Sequence, residues 1–174
     1  KRGFFDNLSK MLQRNNQINE KQSSRGNSGV VVKGIDGLKI QLSKCCNPIP
    51  GDEILGFVSQ GQGIKVHRKD CPHIKVPEIQ ARLIDVYWDF ASISTMKFQA
   101  DLEITGLDRT NLLNDVITVL GQLKINILNI RADVVDMKAI IKLKISVEDA
   151  YRLQQAMDNV VKIQGIFEVK RVIH

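Results

Sequence analysis

The sequence predicts an α+β fold in which a small β-rich domain precedes a ferredoxin-like βαββαβ domain. Three observations point there. Residues 95–174 alternate strand and helix patterns in the order β-α-β-β-α-β. Residues 29–94 hold short apolar runs punctuated by glycine, with few core residues for their length. All three cysteines and two of the three histidines fall in two short stretches, "KCCNP" at 44–48 and "VHRKDCPH" at 66–73.

Residues 1–28 read as a helical tail and linker. Phe4, Phe5, Leu8, Met11 and Leu12 follow helical spacing, and "SSRGNSG" is a connector. A basic amphipathic stub of this kind ends a preceding element, so the chain is expected to begin within a larger protein. In residues 29–94, "VVVKGIDGLKIQL" predicts two strands around a turn at Gly34–Gly37. "ILGFVSQGQGIKVH" predicts a hairpin turning at Gly61 and Gly63, and "RLIDVYWDF" a further strand with the single Trp, Trp88.

In residues 95–174, "KFQADLEIT" alternates Phe98, Ala100, Leu102 and Ile104 inward. "TNLLNDVITVLGQL" predicts a helix with Thr110 as N-cap and Leu112, Leu113, Val116, Ile117, Leu120 and Leu123 on its buried face. "NILNIRADVV" and "KAIIKLKISV" predict a hairpin turning near Asp136. "EDAYRLQQAMDNVVKI" predicts a second helix burying Ala150, Leu153, Met157 and Val160, and "IFEVKRVIH" a closing strand.

The composition, 43% hydrophobic and 25% charged, is that of a globular protein, and no run is long and apolar enough to span a membrane. The N-terminus lacks a secretory h-region, and an odd cysteine count argues against a disulfide framework, so a reducing cytoplasmic setting is expected. Net charge is +6, with +4 in residues 1–28 and +3 in residues 29–75. That excess suits a phosphate-rich partner and equally a solvated basic surface.

The soft ligands Cys45, Cys46, His67, Cys71 and His73 have the spacing C-C-x20-H-x3-C-x-H. Zinc takes four N or S ligands in a tetrahedron, which two such pairs can supply. Asn47-Pro48 is expected to end the strand, and a turn there can swing both neighbouring thiols to one side; were the strand to continue, only one could bind. "KDCPH" reads as a helix start with Asp70 as N-cap, which places Cys71 at the positive end of a helix dipole. The alternative is three small buried hydrophobes and two surface histidines. Asp52, Glu53 and Asp70 lie near in sequence, but no H-E-x-x-H pattern accompanies them, so a structural zinc is expected over a catalytic one.

The stretch "GIDGLKIQLSKCCNPIPGDEILGFVSQGQGIKVHRKDCPHI" resembles the zinc-finger domain of the long RelA/SpoT homologues. It contains their K-C-C-x-P-x-P-G-D, G-x-G and H-R-x-D-C-P pieces in order. Residues 96–174 resemble the ACT domain that ends those proteins, including a terminal R-V. The resemblance implies the C-terminal regulatory region of a (p)ppGpp synthetase/hydrolase (GTP pyrophosphokinase) of the stringent response, with its catalytic domains upstream and no activity in this part. It implies zinc on Cys45, Cys46, His67 and Cys71, with Asp70 orienting a ligand and His73 a weaker candidate. It also implies docking to ribosomal RNA beside a deacylated A-site tRNA, for which Lys44, Lys65, Arg68 and Lys69 are the local phosphate contacts.

ACT domains elsewhere bind amino acids at dimer interfaces, which makes a homodimer and a branched-chain amino acid further expectations. The implied positions are Leu107, Asp108, Asn111 and Leu112 in "GLDRTNLL", with Asn126 and Ile127; Asn111 stands where the family pattern D-R-x-G-L-L has glycine. An RNA-recognition motif shares the strand order, but "KAIIKLKISV" has no aromatic residue for base stacking.

Overall fold

A computed structural model describes residues 28–34 and 37–174. The expected helical tail and linker over residues 1–28 lies outside them, apart from Ser28. In chain order the elements are β1 (Val30–Val31), β2 (Ile40–Leu42), β3 (Ile54–Ser59), β4 (Gly63–Arg68), a 3-10 turn (Pro72–Ile74), α1 (Pro77–Gln80), β5 (Leu83–Asp85) and β6 (Tyr87–Trp88). Then follow β7 (Phe98–Leu107), α2 (Leu112–Gln122), β8 (Asn126–Val135), β9 (Lys138–Val147), α3 (Ala150–Val160) and β10 (Ile166–Arg171).

The first part departs from its expected pairing. Residues 30–42 do not form a hairpin: β1 pairs antiparallel with β6, Val30 opposite Trp88, and β2 pairs parallel with β4, Ile40 opposite Ile64. A period of two marks a strand but carries no information about its partner. The expected strand over 82–90 likewise splits. β5 joins the sheet ordered β2-β4-β3-β5, and buried Val86 turns the chain so that β6 reaches β1. The β3–β4 hairpin forms as expected, in register from Ile54↔Arg68 to Ser59↔Gly63.

Its two turn glycines have unequal roles. Gly61 and Gly63 both have positive φ, 73° and 83°, but a Cβ on Gly61 meets open space, whereas one on Gly63 would sit 2.2 Å from the Lys39 carbonyl oxygen. That oxygen accepts the Ile64 N–H at 2.8 Å, the bond that starts the parallel pairing. Gly63→Ala is therefore expected to lose at least ~2 kcal/mol more than Gly61→Ala, whose cost is about 1 kcal/mol of left-handed strain. Equal urea midpoints for the two variants would contradict this.

The second part is the expected βαββαβ unit, with strand order β10-β7-β9-β8. Phe98, Ala100, Leu102 and Ile104 of β7 and Ala139, Ile141, Leu143, Ile145 and Val147 of β9 face the two helices. The α2 stripe is narrower than expected. Leu112, Val116 and Leu120 are buried one turn apart, while Leu113 and Ile117 remain 36% and 40% exposed. In α3 the buried residues are Leu153, Ala156 and Val160, with Ala150 and Met157 only partly covered. The N-cap of α2 is Asn111 rather than Thr110, held at φ 66° and ψ 4°. Asparagine is among the few residues that adopt this left-handed conformation without a large penalty, so it does here what glycine does in the family pattern.

The two parts share material. Ile49 belongs by sequence to the first part, yet it is fully buried in the core of the second. The Pro50 carbonyl accepts the Ala150 N–H of α3 at 2.8 Å, and Trp88 meets Phe98 edge-on with ring centroids 5.7 Å apart.

Candidate metal centre

Turns place the three cysteines of the candidate centre, and a strand places the histidine. β2 ends at Leu42, and the Asn47 N–H returns to the Ser43 carbonyl at 3.0 Å, closing a turn around the two cysteines. Asn47 completes it at φ 41°. The turn resolves the geometric problem of adjacent thiols: both point to one side. His67 comes from β4, opposite Leu55 of β3. Cys71 follows in a second tight turn, its N–H bonded to the Arg68 carbonyl at 3.0 Å.

The one nitrogen and three sulfur donor atoms of Cys45, Cys46, His67 and Cys71 lie within 4.8 Å of one another. Cys45 Sγ is 3.4 Å from His67 Nδ1 and 3.8 Å from Cys71 Sγ, and Cys46 Sγ is 3.8 Å from His67 Nδ1. A tetrahedron with metal–sulfur bonds of ~2.3 Å and metal–nitrogen bonds of ~2.0 Å has edges of about 3.8 Å between sulfurs and about 3.5 Å between sulfur and nitrogen. The donor set thus has the size and chemistry to hold a metal ion. Cys46 Sγ also accepts the Arg68 N–H at 3.4 Å, which fixes its direction.

Burial pushes the Cys46 thiol strongly upward, against the lowering effect of that N–H. Burial and the neighbouring Cys71 raise Cys45. His67 is held below 6.5, first by burial and then by His73 and Lys65. Burial thus favours the protonated thiols of Cys45 and Cys46 and the neutral His67 imidazole, and a divalent ion must displace the thiol protons to bind.

Two expectations about Cys71 need correction. It does not sit inside a helix: it caps a single 3-10 turn, so no helix dipole acts on it. Asp70 caps nothing there and instead pairs with Arg68. His73 Nδ1 lies 3.6 Å from Cys71 Sγ but is not one of the four clustered ligands.

The four basic candidates divide. Lys44 and Lys65 border a cavity of about 380 Å3 that also reaches Cys45 and His67. Arg68 is taken by Asp70, and Lys69 lies 4.0 Å from Glu53.

A clamp that the sequence reading missed backs the centre. Arg171 Nη1 and Nη2 donate to the two carboxylate oxygens of Asp52 at 2.8 and 2.9 Å, with side chains only 11% and 12% exposed. Nη2 also donates to the Asn47 carbonyl at 2.6 Å. Asp52 is the aspartate of the K-C-C-x-P-x-P-G-D piece and Arg171 the arginine of the terminal R-V, so two motifs quoted separately are one contact. Beyond it, the His174 N–H donates to the Cys45 carbonyl at 2.6 Å.

Residues 30–89 match the RelA/SpoT RIS domain family, and residues 94–171 match the ACT domain family. The chain carries a RelA/SpoT RIS domain followed by an ACT domain. The GTP pyrophosphokinase of Haemophilus influenzae is 34% identical over 164 residues, covering 89% of this chain and 21% of that protein. The bifunctional (p)ppGpp synthase/hydrolase RelA of Mycobacterium tuberculosis is 37% identical over 146 residues, covering 83% and 20%. The chain spans about a fifth of the length of these curated relatives. The crystal structure of the ACT domain from the GTP pyrophosphokinase of Chlorobium tepidum superposes with a TM-score of 0.41 at 30% identity, covering 44% of this chain and 100% of that one.

In the ACT domain the six implied amino-acid positions do not meet within one chain. Leu107 lies opposite Lys138 on β9, while Asn126 lies opposite Ser146 at the other end of the same strand. About 27 Å of strand separates those ends. Asp108 and Asn111 are exposed beside Leu107, Leu112 is buried in the core, and Ile127 packs against that core from β8. The loop before α2 is instead tied down by Arg109, which bonds the Gln164 carbonyl through Nε at 3.0 Å and Asp115 at 2.7 Å.

Proposed function

We propose that this chain is the regulatory part of a (p)ppGpp synthetase/hydrolase of the cytoplasm, stapled by a structural zinc and docking on ribosomal RNA beside a deacylated A-site tRNA. The observation that carries the zinc reading is the gathering of three thiols and one imidazole within 4.8 Å, with three of the separations, 3.4, 3.8 and 3.8 Å, close to tetrahedral edges. With all four positions filled by protein, the ion has no open place for water or substrate, so its role is to hold the RIS domain together.

The RNA reading is supported by Lys44 and Lys65 at one cavity beside the metal loop. Among the described residues no helix is long and apolar enough to cross a membrane. Contact of this kind is with phosphates, so affinity falls steeply with salt.

The test is binding of the chain to ribosomes carrying deacylated A-site tRNA across a salt series. Lys44→Ala/Lys65→Ala is expected to weaken binding and to flatten the log–log salt slope by roughly 1.5. Absence of binding by the unsubstituted, metal-loaded chain would sink the proposal. An amino-acid-sensing reading requires a second copy to bring the Leu107 and Asn126 ends together. Calorimetry with valine and isoleucine, alongside a measured oligomeric state, discriminates it.

A further inference from the structure

The four ligands of the metal centre are not equally reachable. Cys46 and Cys71 are buried to within 1% and His67 is buried, whereas Cys45 is only partly covered. The cavity bordered by Lys44 and Lys65 opens on Cys45. A reagent arriving from solvent therefore meets this sulfur first. Behind it, Cys71 Sγ waits at 3.8 Å. Cys46 is a poorer partner: its sulfur is held by the Arg68 N–H, and a bridge between sequence neighbours closes a small strained ring.

We infer that Cys45 is the oxidant-sensitive residue of the centre, and that a hydroperoxide converts Cys45 and Cys71 into a disulfide. This rests on the cluster holding a metal, since a coordinated cysteine is kept as the thiolate that attacks. The Cys45 thiolate attacks one peroxide oxygen. An S–O bond forms, the O–O bond breaks and hydroxide leaves, which gives a sulfenic acid. The Cys71 thiolate then attacks the Cys45 sulfur. The S–S bond forms, the S–O bond breaks and a second hydroxide leaves. Two thiolates lose two electrons, and one peroxide is reduced to two hydroxides. The ammonium groups of Lys44 and Lys65 border the place where the charge appears.

Only Cys46 and His67 then remain as donors, too few for a closed tetrahedral site. The change also has a path to the ACT domain. The Cys45 carbonyl accepts the His174 N–H, and Ile173 packs against the cluster of Cys46, Cys71 and Ile74. Oxidation thus pulls on the segment that carries Arg171.

The test uses the 174-residue chain, with its metal content measured first. Differential alkylation of the metal-loaded chain is expected to label Cys45 before Cys46 and Cys71. Hydrogen peroxide is expected to give a Cys45–Cys71 crosslink in peptide mapping, with about one metal ion released per crosslink, reversed by thiol and fresh metal. Cys45→Ser removes a thiolate ligand and is expected to weaken metal binding itself, so the crosslink map of the unsubstituted chain decides. A crosslink through Cys46, earlier alkylation of Cys46 or Cys71, or metal release with Cys45 still reduced overturns the inference. A chain that purifies without metal and cannot be loaded defeats the zinc reading instead, and the crosslink map remains a separate result.

Discussion

On the zinc reading, Cys46→Ser is expected to abolish metal binding by the RIS domain and to unfold it. The hydrophobic core of that domain has six buried apolar residues, Val30, Val32, Ile40, Ile64, Val66 and Val86. So small a core supplies little net stability by itself. A structural zinc in small finger domains contributes apparent values on the order of 10–16 kcal/mol, and it is folding free energy. Serine offers a hard hydroxyl where a soft thiolate is required, at the position whose sulfur lies against His67 and the Arg68 N–H. The variant should retain less than about a tenth of an equivalent of metal by elemental analysis. Its amide resonances for the RIS domain should collapse while those of the ACT core persist. A full equivalent of metal with an unchanged unfolding midpoint would remove the staple from the account. Acidification acts in the same direction: each raised thiol must give up a proton to bind, so metal affinity falls as pH falls.

Arg171→Ala is expected to destabilise the chain by about 3–5 kcal/mol, the cost of leaving one partner of a buried ion pair alone. Asp52 would keep its bond from the Ile49 N–H at 2.8 Å but lose both guanidinium bonds, and the Asn47 carbonyl would lose its donor as well. Because the pair joins the metal loop to the last ACT strand, calorimetry should show RIS and ACT transitions drawing apart. Asp52→Leu/Arg171→Met, which removes both charges, should recover much of the loss. A single variant within about 1 kcal/mol of the parent would mean that the pair contributes as little as an exposed one.

The two domains differ in how far they can be read from sequence. The ACT domain is legible because its signals are local: the alternation in β7 and β9, the helical stripes and the turn at Asp136–Met137 each lie within one element or between neighbours. Its helix faces were overread at Leu113 and Ile117, since periodicity marks an apolar stripe without saying how much of it the sheet covers. The RIS domain is less legible. Val30 meets Trp88 and Ile40 meets Ile64 in parallel, and such distant pairings leave no periodic trace. The candidate metal cluster was legible in part: residue type and spacing offered five soft side chains, the resemblance picked out Cys45, Cys46, His67 and Cys71, and these are the four whose donor atoms the fold gathers. The Asp52–Arg171 clamp was not: an aspartate after glycine and an arginine at a strand end are both ordinary surface residues until the fold buries them together.

That clamp also sets a timetable. Arg171 lies 119 positions after Asp52. At a synthesis rate of 5–20 residues per second, roughly 6–24 s pass between the making of the two residues. Throughout that interval the metal loop, its aspartate and the side chain of Ile49 exist without the ACT strand and core that will cover them. On the zinc reading, a nascent RIS domain has only the ion and its own loop hydrogen bonds to hold that loop, so supply of the ion during translation would bear on the later docking of the ACT domain.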